Sequence, residues 1–106
     1  MYTLMIKDSA NGFLATMASG YSEADFIKNV HQYVDDNVQD ILPNINNNPA
    51  GAIIINRFTK AHDIQEVKEA FDYYIMYELP IEKGIAFPAN FMGESDTTIM
   101  IMQLRN

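Results

Sequence analysis

Cysteine and tryptophan are absent from this chain of 106 residues, and arginine appears only twice, at Arg57 and Arg105. Without cysteine there is no disulfide framework, no thiolate zinc site and no cysteine nucleophile. The five glycines, Gly12, Gly20, Gly51, Gly84 and Gly93, stand too far apart to write GxGxxG or a P-loop, which excludes the usual phosphate-cradling turns. No GxSxG nucleophile elbow occurs. Basic residues are also scarce: seven Lys and Arg face fourteen Asp and Glu, for a formal net charge of −7. Nonspecific duplex DNA binding and adhesion to anionic membranes both need a basic footprint, so both are disfavoured. No apolar run approaches the roughly 20 residues of a membrane-spanning helix, and Met1-Tyr2-Thr3 opens no basic-then-apolar leader. A cytoplasmic protein is the expectation.

What is present is an ordinary globular balance, 48% hydrophobic and 20% charged, rather than that of a disordered chain. A chain of about 100 residues buries roughly two thirds of its unfolded surface, which suits one domain, 1–106, with one two-layer core. Ile, Asn and Tyr are plentiful and Arg rare, as in AT-rich genomes, bacterial or viral.

The elements follow from pattern. Residues 2–7 read as a strand, Asn11-Gly12 supplies the positive φ angles of a hairpin turn, and residues 13–18 read as the second strand. Ser22 then precedes Glu23 and Asp25 in a variant capping box, with Tyr21 placed to staple against Phe26 or Ile27. Phe26, Ile27, Val30, Tyr33, Val34, Val38 and Ile41 fall at helical spacing, predicting an amphipathic helix over 22–40 that Pro43 stops. Residues 43–51 read as a polar loop. Ile53-Ile54-Ile55 predict a strand covered on both faces, hence central. Ile64, Val67, Ala70, Phe71, Tyr74 and Ile75 predict a second helix, ended by Leu79-Pro80. Residues 81–96 read as irregular, and Thr97 to Leu104 as the last strand.

The expected fold is therefore α+β, or a two-layer α/β sandwich: a four-stranded sheet with two helices in the order ββαβαβ. Leu4-Met5-Ile6, Ile53-Ile54-Ile55 and Ile99-Met100-Ile101-Met102 put apolar residues on both pleat faces. If both helices share one face, the other needs a cover, and a second copy of the chain is the simplest one.

Candidate chemistry is thin. His31 lies four residues before Asp35 and His62 four before Glu66, spacings that allow pairing on a helix face. A catalytic zinc needs three protein ligands, and no further His clusters nearby, so no metal, cofactor or catalytic residue is assigned. Tyr2, Phe13, Phe58 and Tyr73 have no Lys or Arg clustered beside them, so direct nucleic-acid binding is not expected.

The placement of acid is more informative. Asp35, Asp36 and Asp40 crowd the last turns of the predicted first helix, where each opposes the helix dipole by roughly 0.3–1 kcal/mol, and Glu78 does the same at the end of the second. Asp36 and Asp40 also form a like-charge i, i+4 pair. On the second helix, Glu66, Glu69, Asp72, Tyr73, Met76 and Tyr77 fall away from the apolar stripe. Tyrosines interleaved with carboxylates suit a protein-binding surface, the rings anchoring and the acids pairing with Arg or Lys. Asp35, Asp36, Asp40, Glu66, Glu69, Asp72, Tyr73 and Tyr77 are thus the candidate partner-binding residues.

Two functions fit these residues. One is a stoichiometric inhibitor or modulator that occupies a basic surface of a larger, nucleic-acid-handling protein. In size, acidity and lack of motif the chain resembles small phage-encoded inhibitors of bacterial defence systems, anti-CRISPR proteins among them. That likeness is of class only, implies a bacterial host cytoplasm, and transfers no residue roles. The other is a homodimeric small-ligand-binding module or small enzyme that uses the open sheet face, with residues 81–96 as a lid bearing Phe87, Phe91 and Met92.

Overall fold

The computed structural model describes residues 1–47, 53–56, 59–88 and 97–104. The chain is α+β, built on a four-stranded antiparallel sheet in the order β2-β1-β6-β5. Its strands are β1 (Tyr2–Asp8), β2 (Phe13–Gly20), β5 (Gly84–Pro88) and β6 (Thr97–Gln103). The first hairpin turns as its sequence dictates. Gly12 adopts φ +65°, and Asp8 accepts from the Asn11 side-chain amide at 2.7 Å and from the Ala10 and Asn11 backbone N–H groups. The Asn11 amide is the main reason the Asp8 carboxyl is held below its ordinary pKa. Strands β1 and β6 run side by side at the centre, and the backbones of Met1 and Leu104 exchange two hydrogen bonds, at 2.8 and 2.7 Å.

Helix α1 (Glu23–Asp36) starts where expected: Ser22 is its N-cap, and the Ser22 hydroxyl accepts from the Asp25 N–H at 3.1 Å. Tyr21 does not staple it, being 77% exposed. The ring that closes over this end is Tyr2 of β1, stacked on Phe26 with centroids 5.6 Å apart. Gly20 makes the turn into α1 possible, because a Cβ there would lie 2.6 Å from the Phe26 backbone nitrogen.

The single helix expected over 22–40 is two helices. Asn37 leaves helical geometry at φ −113°, ψ 17°, donates its side-chain amide to the Tyr33 carbonyl, and offers its own carbonyl to the N–H groups of Asp40 and Ile41. It thus ends α1 and opens α2 (Val38–Asn47). Pro43 does not stop the helix but sits inside α2. Pro43 and Gln39, whose carbonyl loses its bond, are both exposed, so solvent can replace the missing partner. Ile41 and Ile45 are the buried stripe of α2.

Three other expectations change. The isoleucine run forms β3 (Ile53–Asn56), which among the described residues pairs only with β4 (Thr59–Ala61), in a separate two-stranded sheet. It is not central. Its place in the main sheet is taken by β5, from the stretch expected to be irregular. The second helix, α3 (Ile64–Tyr73), does not end at Leu79-Pro80 either: it widens into a π-helical turn (Tyr74–Glu78) and closes as α4 (Leu79–Glu82). The Leu79 N–H reaches back to the Tyr74 carbonyl. This wide turn gives room before Pro80, which would otherwise clash with the preceding turn. Lys83, in the left-handed region at φ 64°, ends the run.

The core lies between the helices and one sheet face. Leu4, Ile6, Ala18, Ile99 and Ile101 point into it, and Phe26, Val30, Val34, Ile41, Val67, Phe71, Tyr74, Ile75 and Leu79 close it from the helical side. Among the described residues, no helix is long and apolar enough to cross a membrane.

Candidate partner-binding surface

The helical layer carries most of the expected partner-binding residues, but the fold uses several of them itself. Asp35 Oδ1 lies 2.7 Å from Lys68 Nζ, and Asp72 Oδ1 lies 2.6 Å from His31 Nε2. The two bridges link α1 to α3 and place the helices antiparallel, since residue 31 faces 72 while residue 35 faces 68. His31 therefore pairs across the layer rather than with Asp35 on its own helix. Glu66 belongs to the start of α3. Its N–H donates to the N-cap Asp63 side chain at 2.8 Å, and its carboxylate faces the His62 ring Nδ1 at 2.9 Å. This is close to a capping box, with the reciprocal bond made one residue early, from the His62 backbone N–H.

Most of the acids expected to oppose a helix dipole do not do so in the fold. Asp40 is not at a helix C-terminus but in the first turn of α2, where the dipole favours it. The helix break also separates it from Asp36, which instead accepts from the Gln32 side-chain amide at 2.8 Å. Glu78 lies within a continuing helical run, not at its end. Only Asp35 and Asp36 stay at a C-terminal turn, and Asp35 has its lysine.

What remains free is a ridge along the outer side of α3 and its continuation. Tyr73 is 51% exposed and Tyr77 60%, and their rings pack at 5.4 Å, tilted by 41°. Tyr73 also meets the buried Tyr74 edge-on at 6.0 Å, which ties the outer pair to the core. Met76 is exposed beside them and Ile81, at 77%, extends the ridge by one turn. Glu69, also exposed, sits one turn ahead of Tyr73. The structure thus brings Glu69, Tyr73 and Tyr77 together with Asp72 at their flank, and leaves Asp36 and Asp40 on a different part of the layer.

Ile81 is the member that sequence reading missed. The spacing Tyr73, Tyr77, Ile81 was visible, but reading Pro80 as a stop cut the ridge short. Two tyrosine faces with carboxylates at the rim suit an arginine-bearing surface, because guanidinium stacks on aromatic faces and pairs with carboxylates. Among the described residues, no three His, Asp or Glu side chains converge as metal ligands would. Phe91 and Met92, read as lid residues, lie outside the described residues. No family model, curated protein or solved structure matches the chain.

Proposed function

We propose that this protein acts by occupancy: it seats the Tyr73–Tyr77 ridge on a basic, arginine-bearing surface of a larger protein. The observation that carries the reading is the exposed tyrosine pair itself, held against the core, with the exposed Glu69 one turn ahead and Asp72 engaged by His31. Exposed rings packed against one another at a helix surface are low-entropy anchors of the kind that dominate interfaces. A net charge of −7 favours a partner whose basic surface otherwise holds nucleic acid, and the protein then blocks that surface as an inhibitor in the cytoplasm. Long-range attraction speeds such association at low salt.

The test is a paired capture from nuclease-treated bacterial lysate, using wild type, Tyr77→Ala and Glu69→Lys, with folding of each checked by circular dichroism. A partner held by wild type, released by salt or by added DNA, and weakened at least tenfold by both substitutions is the expected result. Equal retention by all three proteins, or capture of nothing but the protein itself, overturns the reading.

A further inference from the structure

The face of the sheet turned away from the helices differs in charge from the helical side of the described residues. By the strand register, Thr3, Met5 and Lys7 of β1 lie beside Met102, Met100 and Thr98 of β6, with Leu14, Thr16 and Ser19 of β2 on one flank and Gly84 and Ala86 of β5 on the other. Met5 and Met100 are direct cross-strand neighbours, half-buried like Met102, and Leu14 is 55% exposed. The only charged side chain among these residues is Lys7, near the hairpin end, where its stem can lie along the face with the ammonium at the rim. Every acidic side chain among the described residues lies on a helix or helix cap, except Asp8. That carboxylate is engaged in the hairpin turn.

The same face holds an unsatisfied polar group. Thr3 is only 5% exposed, and its hydroxyl has no hydrogen-bond partner among the described residues. A buried hydroxyl is usually paired. Thr3 lies between Ser19 and Met102 in the register, with its hydroxyl closed off by its own chain.

We propose that this face is a homodimer interface, with a second copy packed against it face to face. Charge selects that geometry for two copies of net charge −7. Stacking two acid-free faces keeps both helical layers outermost, separated by two sheet layers about 10 Å apart and well beyond the Debye length of about 8 Å at physiological salt. Joining copies through the β2 edge instead would bring α1, which is bonded to β2 through the Asn29 amide and Ser19 carbonyl, beside its own acid-bearing copy. Four strands of about seven residues make a face of roughly 19 by 23 Å. Two such faces bury on the order of 1,000 Å² in total, enough for a micromolar dimer rather than an obligate one. The dimer then presents two tyrosine ridges pointing away from the interface.

Sedimentation velocity between about 1 and 200 μM tests this, the range a micromolar dimer requires. A monomer–dimer equilibrium that tightens as salt rises from about 10 mM to physiological strength is expected, since at the lower salt the Debye length is about 30 Å and the acidic layers of the two copies still repel. That is opposite in sign to partner capture through the acidic ridge, so the two proposals fail separately. Met100→Glu should shift the equilibrium at least tenfold towards monomer, whereas Tyr77→Ala should leave it unchanged. The absence of native cysteine allows a second readout that tolerates a poorly folded Met100→Glu. Thr98→Cys on this face should cross-link copies on oxidation, and Lys28→Cys on α1 should not. Wild type that is monomeric throughout the range, dimers unaffected by Met100→Glu, or cross-linking only through Lys28→Cys would each overturn the proposal.

Discussion

The two sides of this molecule solve opposite problems. On the helical side nearly every charge is either engaged or solvated: His31 with Asp72, Asp35 with Lys68, Glu66 with His62, Asp36 with Gln32. On the sheet side there is almost no charge to engage, and the surface is methionine, threonine and small residues. Total charge is therefore a poor guide to how this protein meets others. One side suits a basic partner at low salt; the other suits an uncharged surface, and salt helps rather than hinders it. Under the two proposals, acidity governs the approach of partners, whereas the uncharged patches (the tyrosine ridge and the methionine face) supply the buried contacts.

The sharpest way to break this contrast is to compare a truncation in the core on the helical side of the sheet with one on its far face. Phe26→Ala, in the core against Tyr2, should cost about 3–5 kcal/mol of folding stability by chemical denaturation. Met100→Ala, on the far face, should cost much less when measured at low micromolar concentration. If the two losses are equal there, the far face is covered within the monomer and the distinction falls. A smaller effect concerns the α1–α3 seam. A double-mutant cycle on Asp35 and Lys68 should return a coupling of at most about 1 kcal/mol, because Asp35 is 48% exposed and solvent screens the pair. A coupling several times larger would make the seam a principal source of stability rather than a means of orienting the two helices.

The smallest expected effect lies at the hairpin. The Asn11 amide and the turn N–H groups hold the Asp8 carboxyl below its ordinary value, so its contribution is fully present above the unfolded carboxylate pKa of about 4. It is lost as the pH falls through the lower folded value. An NMR titration should find the Asp8 midpoint below those of the exposed helix carboxylates, and Asp8→Ala should speed amide exchange at Ala10 and Asn11 and remove that acid dependence. An unshifted midpoint would mean that the turn does not hold its hydrogen bonds in solution.

Where local chemistry decides an outcome, the residues were readable. Asn11-Gly12 turned the hairpin, Ser22 capped α1, and the apolar period of 64–75 laid α3 on the core. Where two local preferences compete, reading failed. Asn37 lies in an unbroken apolar period, yet its amide and carbonyl bond the ends of two helices and it divides the run, which also moved Asp40 from an unfavourable terminus to a favourable one. Pro43 and Pro80 are helix breakers by rule, but an exposed carbonyl and a π turn accommodated them. The tyrosines of the candidate surface were legible because their spacing kept them off the core stripe. Ile81 was not, since it lay beyond a proline.

By itself, then, the sequence determined the α+β class, the opening hairpin, the capped start of α1, the acidic balance and the tyrosine–carboxylate face, all consequences of contacts within a few residues. Tertiary structure alone decided that the isoleucine run pairs outside the main sheet while 84–88 join it, because strand partners are set by long-range packing that a four- or five-residue segment cannot encode. It also decided which acids are free, since the partners of Asp35 and Asp72 lie on another helix. And it decided that, among the described residues, the sheet keeps one face clear of both helices and acids, because α1 and α3 share a single core and a single side.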